Sequence, residues 1–323
     1  MPGDTHTASR RPEIIGILLY VVAAGLFAFN GAVAKLAIEA GLDPLRLVQL
    51  RNAGGLIVLA VIVLIFNRSA FRIRRGELKL LIAYGVVAFA IVQFLYFFAV
   101  SRLPLQVATL LAFLAPVVVA LWVKFGQHKP VANRIWLSVA LILAGLALVS
   151  QIWDGLHFDL LGVLAGFALA IALATYWLIG EAGQSNRDGI SLTMWGFFFA
   201  SVVYALIAPW WTFPWSVLTN TAVDDATPFP DLPVWGIVLW GIAFGTVIPF
   251  LFVLGSIKRI GAQRASLVAT TEPIWAAILG LVVLGEVMSP VQVLGAGIVI
   301  VGIVVAETAR RANEPDEFLL TPV

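Results

Sequence analysis

Glu272 is a carboxylate within an apolar part of the chain, where an ionisable side chain is costly and indicates function. It lies eight residues beyond Arg264, which corresponds to about 12 Å along a helix that rises 1.5 Å per residue. At that depth an isolated carboxylate would be protonated or paired with a cation, because apolar surroundings disfavour its charged form. Glu272 is therefore a candidate proton carrier or cation ligand. The alternative is a structural hydrogen bond to a neighbouring helix.

Three prolines fall within apolar segments, where each leaves the carbonyl oxygen four residues earlier without its helical donor. The prolines are Pro116, Pro249 and Pro273, and the freed oxygens belong to Ala112, Gly245 and Ala269. Such an oxygen can bind substrate or water or, at Ala269, the hydroxyl of Thr270. Paired helix breaks are typical of transporter substrate sites, whereas a packing kink is the alternative for each proline alone.

Arg51 lies seven residues beyond Pro44, too deep in an apolar segment to remain without a partner. That partner is either a substrate carboxylate or an acidic loop residue. Lys35 is nearer a segment end, where its long side chain can reach the membrane surface beside Glu39. The complete set of candidate substrate-lining residues is Asn30, Arg51, Gln93, Tyr96, Pro116, Tyr176, Trp177, Pro249, Thr270, Thr271, Glu272 and Pro273. Taken singly, the polar side chains among them could instead join two helices.

The composition requires lipid as the solvent for most of these residues. Of 323 residues, 61% are hydrophobic and 12% are charged, whereas soluble proteins are about half apolar and a quarter charged. The mean hydropathy is +1.00. A net charge of +2 fits the cytoplasmic loops of a membrane protein and indicates no nucleic-acid partner. The absence of cysteine excludes disulfides and thiolate chemistry.

Ten apolar stretches are long enough to cross a bilayer. Within lipid they must be helices, because open strand edges would leave backbone groups unpaired. The sequence therefore predicts an all-α integral membrane protein. The predicted spans are 14–37, 44–66, 78–100, 104–125, 134–152, 160–180, 190–211, 234–256, 263–284 and 290–309.

Basic residues predict the orientation of these spans, because Lys and Arg concentrate in cytoplasmic loops. With ten spans both termini lie on one side, and placing them in the cytoplasm puts 16 of the 20 basic residues there. The outer loops are then acidic, and the longest, about 212–233, begins beside tryptophans typical of an interfacial belt. We therefore expect a multi-pass protein of the plasma or inner membrane with cytoplasmic N and C termini.

Residues 102–145 recur 157 positions later in the chain. The matching pairs are Arg102 and Arg259, Gln106 and Gln263, Ala108 and Ala265, Thr109 and Ser266, Pro116 and Pro273, and Gly145 and Gly302. Each half holds five predicted spans, so the second half inserts upside down relative to the first. Inverted repeats are the architecture of many secondary transporters, although channels can share it. The predicted units are 1–152, 153–311 and a disordered tail, 312–323.

The second half also carries a set of short motifs. They are Ala265-Ser266-Leu267, Thr271-Glu272-Pro273, Leu284-Gly285-Glu286 and Gly295-Ala296-Gly297 followed by Gly302. This pattern resembles the EamA-type members of the drug/metabolite transporter superfamily. The first half is similar through Asn30, Lys35, Arg51, Pro116 and Gly145, and departs where Gln127 or Lys129 replaces the family's common Glu. The resemblance implies export of amino acids, metabolites or xenobiotics, or exchange of sugars or nucleotides.

The predicted function is secondary active export of small metabolites, such as amino acids, related compounds or drugs, by alternating access, with proton coupling at Glu272 as one mechanism. The sequence contains no Walker A motif, so ATP binding by this chain is not expected to drive transport. No cofactor is expected. An enzyme is disfavoured because no nucleophile–base pair or metal-ligand cluster stands out. A channel or a scaffold is the alternative. Small-molecule substrate and membrane lipid are the expected partners, and a Gly295/Gly302 ridge leaves monomer and homodimer open.

Overall fold

The protein is almost entirely helical in the computed structural model, which describes residues 10–74, 76–126, 128, 133–150, 159–184, 187–222 and 232–311. The predicted tail 312–323 lies outside these residues. The α-helices are α1 (Arg10–Glu39), α2 (Pro44–Phe66), α3 (Leu78–Tyr84), α4 (Val92–Val100), α5 (Leu105–Ala112), α6 (Ala115–Leu121), α7 (Asn133–Ser150), α8 (Leu160–Gln184), α9 (Gly189–Ile207), α10 (Val234–Ile242), α11 (Ile248–Ala269), α12 (Glu272–Leu284) and α13 (Pro290–Arg311).

Shorter elements connect or extend these helices. The π-helical turns Gly85–Ile91 and Ala243–Val247 join α3 to α4 and α10 to α11, and Trp122–Gly126 extends α6. Turns of 3₁₀-helix cover Arg68–Phe71, Trp210–Thr212 and Trp215–Thr219. The two-residue strands β1 (Thr221–Ala222) and β2 (Leu232–Pro233) pair antiparallel within the long predicted loop.

Several helices are long and apolar enough to cross a membrane. By length and composition these are Pro12–Glu39, Pro44–Phe66, Leu78–Val100, Gly189–Ile207 and Val234–Val253, and shorter apolar helices lie within α7, α8, α12 and α13. Large apolar side chains such as Ile57, Phe66 and Leu206 are exposed on the outside of the bundle. Such a surface would be unfavourable in water and suits contact with lipid. The prediction of an all-α membrane protein is thereby supported.

Helices from the first half of the chain pack against helices from the second half. α1 lies along α11 and α12, α2 against α9, α4 against α8, and α7 along α13. The α7–α13 contact depends on small residues, because a Cβ at Gly145 would lie 2.6 Å from the carbonyl oxygen of Gly295. Gly302 likewise packs against Ile142 of α7. The glycine ridge is therefore used within one chain and is not a free dimer face.

Helix interruptions recur at the spacing of the sequence repeat. The turn Phe113–Leu114 separates α5 from α6, and the turn Thr270–Thr271, 157 residues later, separates α11 from α12. The π-helical turn Ala243–Val247, moved back by the same distance, falls within Gly85–Ile91. The same local backbone thus occurs at equivalent positions in both halves.

Two expectations about helix continuity are corrected. The predicted fourth span, 104–125, is interrupted at Phe113–Leu114, and the predicted ninth span is interrupted at Thr270–Thr271. Pro116 and Pro273 accordingly stand in the first turn of α6 and of α12 rather than at a kink inside a continuous helix. A proline fits there because the first helical N–H groups have no intrahelical acceptor.

A loop was expected at 257–262, between the predicted eighth and ninth spans, and this expectation is also wrong. α11 runs through these residues from Ile248 to Ala269. The charges of Lys258 and Arg259 suggested a loop, yet Lys and Arg are good helix formers and mark exposure rather than a helix end. Arg259 is exposed and donates from Nη1 to the carbonyl oxygen of Gly255 at 2.8 Å, one turn earlier.

Candidate functional site

A cavity of about 310 Å³ lies among the helices near the middle of α1. Both halves of the chain contribute to its wall. The lining residues are Tyr20, Phe27, Asn30, Arg51, Ala88, Phe89, Val92, Gln93, Tyr96, Phe97, Thr109, Ala112, Phe113, Leu169, Leu173, Tyr176, Gly245, Thr246, Phe250, Val253, Ala269 and Glu272. The volume falls at the lower end of the range for small-molecule sites, and the wall is largely apolar, with eight aromatic residues and a few polar groups.

The cavity brings together part of the predicted site. The candidates that line it are Asn30, Arg51, Gln93, Tyr96, Tyr176 and Glu272, whereas Pro249, Thr270, Thr271 and Pro273 are not among its lining residues. Pro249 and Pro273 are both buried. The side chains of Pro116 and Trp177 lie outside the part of the chain that the structure describes.

Arg51 is 4% exposed and is held between α1 and the π-helical turn Ala243–Val247. Its Nη1 donates to Oδ1 of Asn30. Its Nη2 donates to the hydroxyl of Thr246 at 2.9 Å and to the carbonyl oxygen of Gly245 at 3.2 Å. The guanidinium also lies over the ring of Phe97, 4.8 Å from the centroid. These neutral contacts orient the cation at the cavity wall.

The acidic loop partner that was one alternative for Arg51 is not found. Within the described part of the chain, Arg51 forms no ion pair. Its Nε is buried and has no hydrogen-bond partner among the residues that the structure describes. The charge of this guanidinium is therefore solvated by amide, hydroxyl and aromatic groups, with no carboxylate to neutralise it.

Pro249 contributes through the backbone rather than by lining the cavity. Because it has no N–H, it leaves the carbonyl oxygen of Gly245 free, and this is the oxygen that accepts from Arg51. Gly245 must also lack a side chain, since a Cβ there would collide with Asn30. The Gly245 carbonyl, which Pro249 was expected to free, thus accepts the hydrogen bond by which Arg51 of α2 contacts the segment between α10 and α11.

Glu272 is the first residue of α12 and directly follows the turn Thr270–Thr271. Thr271 stabilises this turn, because its hydroxyl donates to the carbonyl oxygen of Val268 at 2.7 Å. A carboxylate in the first turn of a helix is favoured by the helix dipole. The Glu272 carboxylate forms no hydrogen bond or ion pair with another described residue. The structural hydrogen bond that was its alternative role is thus not observed.

Two further polar side chains line the cavity. Oε1 of Gln93 is buried and forms no hydrogen bond among the described residues, whereas the hydroxyl of Tyr96 lies beside Thr109. Tyr96 interacts electrostatically with both Arg51 and Glu272. Buried polar groups are normally satisfied, so a bound molecule or water is needed to complete the contacts of Gln93.

Sequence analysis missed most of the aromatic wall. Tyr20, Phe27, Phe89 and Phe250 line the cavity, yet an aromatic residue in a membrane helix is also compatible with contact to lipid or to another helix. Thr246 was also missed, although the proline three residues later was a signal that this backbone is exposed to a partner. Which side chains of a helix face the cavity depends on how the helices pack. Hydrophobic periodicity cannot reveal this for a helix that is apolar on every side.

A second polar cluster lies outside the cavity, where α1 meets the loop before α13. Lys35 pairs with Glu286 and donates to the carbonyl oxygen of Leu103 at 3.1 Å. Oε2 of Glu286 also accepts from the N–H of Leu105 at 2.9 Å. The Lys35 ammonium group is therefore held by Glu286 and the Leu103 carbonyl, and its extension to the membrane surface stays a prediction. The partner comes from the other half of the chain, which sequence neighbours cannot indicate.

Metal binding by the described residues finds no support in their geometry. Among them no group of three or more His, Cys, Asp or Glu side chains is placed to hold an ion. The chemistry available at the cavity is instead that of one cation, one carboxylate and neutral hydrogen-bonding groups.

Known proteins resemble this chain over nearly its whole length. The threonine/homoserine exporter RhtA of Escherichia coli K12 is 24% identical over 307 residues, covering 93% of this chain and 92% of the exporter. YcbK of Bacillus subtilis 168, an uncharacterised transporter, is 24% identical over 292 residues, covering 89% of this chain and 91% of YcbK. A solved crystal structure superposes with a TM-score of 0.55 at 19% identity, covering 96% of this chain and all of the other, and supports the fold.

The EamA-like transporter family matches the chain twice, at residues 14–151 and 160–308. Together these ranges cover most of the sequence and include Asn30, Arg51 and Glu272. The resemblance inferred from the sequence motifs is confirmed, and the family supports a transporter rather than an enzyme. This chain belongs to the EamA-like transporter family.

Proposed function

We propose that this protein is a secondary active transporter that exports small metabolites by alternating access. Its substrates are amino acids, related compounds or drugs. The observation that carries the proposal is the central cavity, which both halves line and into which Arg51 and Glu272 bring opposite charges. Ionisable groups at membrane depth mark substrate or ion pathways. The name of the threonine/homoserine exporter adds support for small amino acids.

The architecture proposed for this function is ten transmembrane helices in two inverted five-helix repeats, 1–152 and 153–311. The paired turns at Phe113–Leu114 and Thr270–Thr271 and the two family matches support it. In repeats of this kind the substrate site lies at their interface near the bilayer midplane, and one repeat moves against the other. We place the protein in the plasma or inner membrane with both termini in the cytoplasm.

Glu272 is the proposed coupling residue. It is the carboxylate that lines the cavity, and no described partner holds it in one state. A carboxylate in that setting can take up a proton when the cavity opens to one side and release it on the other. The candidate substrate-lining residues are Asn30, Arg51, Gln93, Tyr96, Tyr176 and Glu272, with Pro249 and Pro273 supporting them through the backbone.

Flux into reconstituted vesicles tests the proposal. Purified protein is inserted into liposomes, and uptake of a panel of radiolabelled amino acids and drugs is measured with and without an imposed proton gradient. The proposal expects saturable uptake that the gradient accelerates. Flux that rises linearly with concentration would indicate a channel, and no flux for any compound would favour a scaffold.

A further inference from the structure

Arg51 presents a cation to the cavity that the protein itself does not neutralise. Its partners in the described part of the chain are an amide, a hydroxyl, a carbonyl and an aromatic ring, and none of these residues accepts from its Nε. A guanidinium recognises a carboxylate through its planar fork of N–H donors. The partners of Nη1 and Nη2 fix the plane of this fork, so an anionic group of a ligand is the missing contact.

Glu272 presents the opposite charge to the same cavity. It comes from α12 in the second half of the chain, whereas Arg51 comes from α2 in the first half. The two side chains form no ion pair with each other. Tyr96 interacts electrostatically with both, and Gln93 has an unpaired oxygen at the same wall. The cavity wall therefore carries two opposite charges that are not paired with each other.

We propose that this site recognises zwitterions of the α-amino acid class, with the ligand carboxylate at Arg51 and the ligand ammonium group at Glu272. The inference rests on the proposed function and deepens it. An amine without a carboxylate would leave Arg51 unneutralised, and an acid without an ammonium group would leave Glu272 unpaired. The aromatic wall formed by Phe27, Phe89 and Phe250 receives the ligand side chain.

Binding to the purified protein in lipid nanodiscs tests this assignment without requiring transport. The probes are L-threonine, L-leucine and L-phenylalanine, each beside the amine that lacks its carboxylate and the acid that lacks its ammonium group. We expect at least one amino acid to bind at least about tenfold more tightly than either of its two analogues, since each lost charged contact has that magnitude.

Two variants assign each charge of the ligand to one residue. In Arg51→Gln the preference for the amino acid over its amine should fall to near one, while the preference over its acid persists. Glu272→Gln should give the reverse pattern. If either residue had only a structural role, its substitution would weaken the binding of the amino acid, the amine and the acid by the same factor. Arg68→Gln, an exposed arginine beyond the end of α2, is the matched control and should retain both preferences.

If Arg51→Gln fails to fold, the assignment can still be tested with the wild-type protein. The comparison of each amino acid with its two analogues requires no variant. Analogues that bind as tightly as their amino acids would overturn the assignment, as would no binding by any amino acid probe. The assignment would also be overturned if both folded variants kept the wild-type preferences for the amino acid over its analogues. It would likewise be overturned if the carboxylate preference depended on Glu272 and the ammonium preference on Arg51. Failure of the proposed function looks different: the amino acid binds with both preferences, yet no vesicle flux is seen.

Discussion

The two helix breaks of this molecule share a backbone and differ in chemistry. The turn Phe113–Leu114 is followed by Ala115 and a proline, and the turn Thr270–Thr271 is followed by Glu272 and a proline. Ala115 is fully buried and packs against Ala174 of α8. Glu272 instead reaches the central cavity. The same helix break therefore occurs in both halves of the chain, whereas a carboxylate follows it in only one of them.

Arg51 is likewise a charged residue that occurs in only one half of the chain, in this case the first half. Counted from the helix starts, Pro44 of α2 and Gly189 of α9, Arg51 is the eighth residue of α2 and Gly196 is the eighth residue of α9. A Cβ at Gly196 would lie 2.5 Å from the ring of Phe89, which leaves no room for a side chain. Each half thus contributes one charge, and the polarity of the cavity arises from the differences between the repeats.

The largest effect is expected from placing a carboxylate at the apolar break. Ala115→Glu buries a charge with no partner, which should destabilise the protein by about 3 kcal/mol, the cost of an acidic side chain at the centre of a membrane helix. Thermal unfolding in detergent and the folded fraction in membranes measure this. Ala115→Ser, which adds only a small hydroxyl, is the control. An Ala115→Glu protein as stable as wild type would mean that both breaks can hold charge.

Removing the carboxylate from the polar break should abolish driven transport without unfolding the protein. Glu272→Gln keeps the size and hydrogen-bonding capacity of the side chain and removes its titration, so gradient-driven flux should fall to background. Exchange at equal pH on both sides, measured with saturating substrate, should persist. Asp43→Asn, which can still cap α2 as Asp43 does through Leu45, is the control. Wild-type pH dependence in Glu272→Gln would end the proton-carrier role.

The α7–α13 pair tests whether corresponding helices of the two halves depend on close approach. Gly295→Ala should destabilise the protein by about 1–3 kcal/mol, because the new Cβ would lie 2.7 Å from the carbonyl oxygen of Gly145. Gly297→Ala, on the same helix, meets nothing within 4 Å and should be neutral or stabilising. Thermal unfolding of the two variants compares them directly. Equal behaviour would contradict the packing described.

A smaller effect is expected where the two halves meet outside the membrane. Nη2 of Arg187 donates to Oε2 of Glu77 at 2.9 Å, and this contact holds the pKa of Glu77 below its usual value. Because the folded-state pKa is lowered, the stabilisation is present at neutral pH and is lost as pH falls through that pKa. Glu77→Gln should therefore lower stability by about 0.5 kcal/mol at pH 7, and the difference should vanish in acid.

Asp188→Asn is the control for the Glu77 experiment, because an asparagine can still cap α9 as Asp188 does through the N–H of Ser191. Unfolding curves for Glu77→Gln and Asp188→Asn, measured from neutral pH to well below the usual glutamate pKa of about 4.3, separate the two residues. A stability difference for Glu77→Gln that grows in acid would have the wrong sign for this contact.

The least perturbing test compares corresponding loops. Ser69 lies between the second and third predicted spans of the first half, and Ala226, outside the described residues, lies between the equivalent spans of the second half. In this cysteine-free chain, single cysteines at the two positions should leave transport intact. An impermeant thiol reagent should label Ser69→Cys only from the cytoplasm and Ala226→Cys only from outside. Labelling of both from one side would exclude inverted repeats.

The cavity was only partly predictable, for a reason visible at individual residues. Arg51 and Glu272 stood out because charge in an apolar segment is rare whatever the fold. Phe27 and Phe250 did not stand out, because their apolar character fits lipid, helix packing and a cavity wall equally well. The loop expected at Lys258 and Arg259 failed because charge indicates exposure, while helix continuity depends on backbone hydrogen bonding, which these residues allow.

The sequence by itself determined the helical membrane class, because long apolar segments in lipid must satisfy their own backbone hydrogen bonds. It also determined the repeat, through matched residues 157 positions apart. Only the tertiary structure decided that Lys35 meets Glu286, that Arg51 rests on the carbonyl freed by Pro249, and that Arg51 and Glu272 share one cavity without pairing. These contacts join residues far apart in the chain, so they depend on how the helices pack and on which face each side chain occupies.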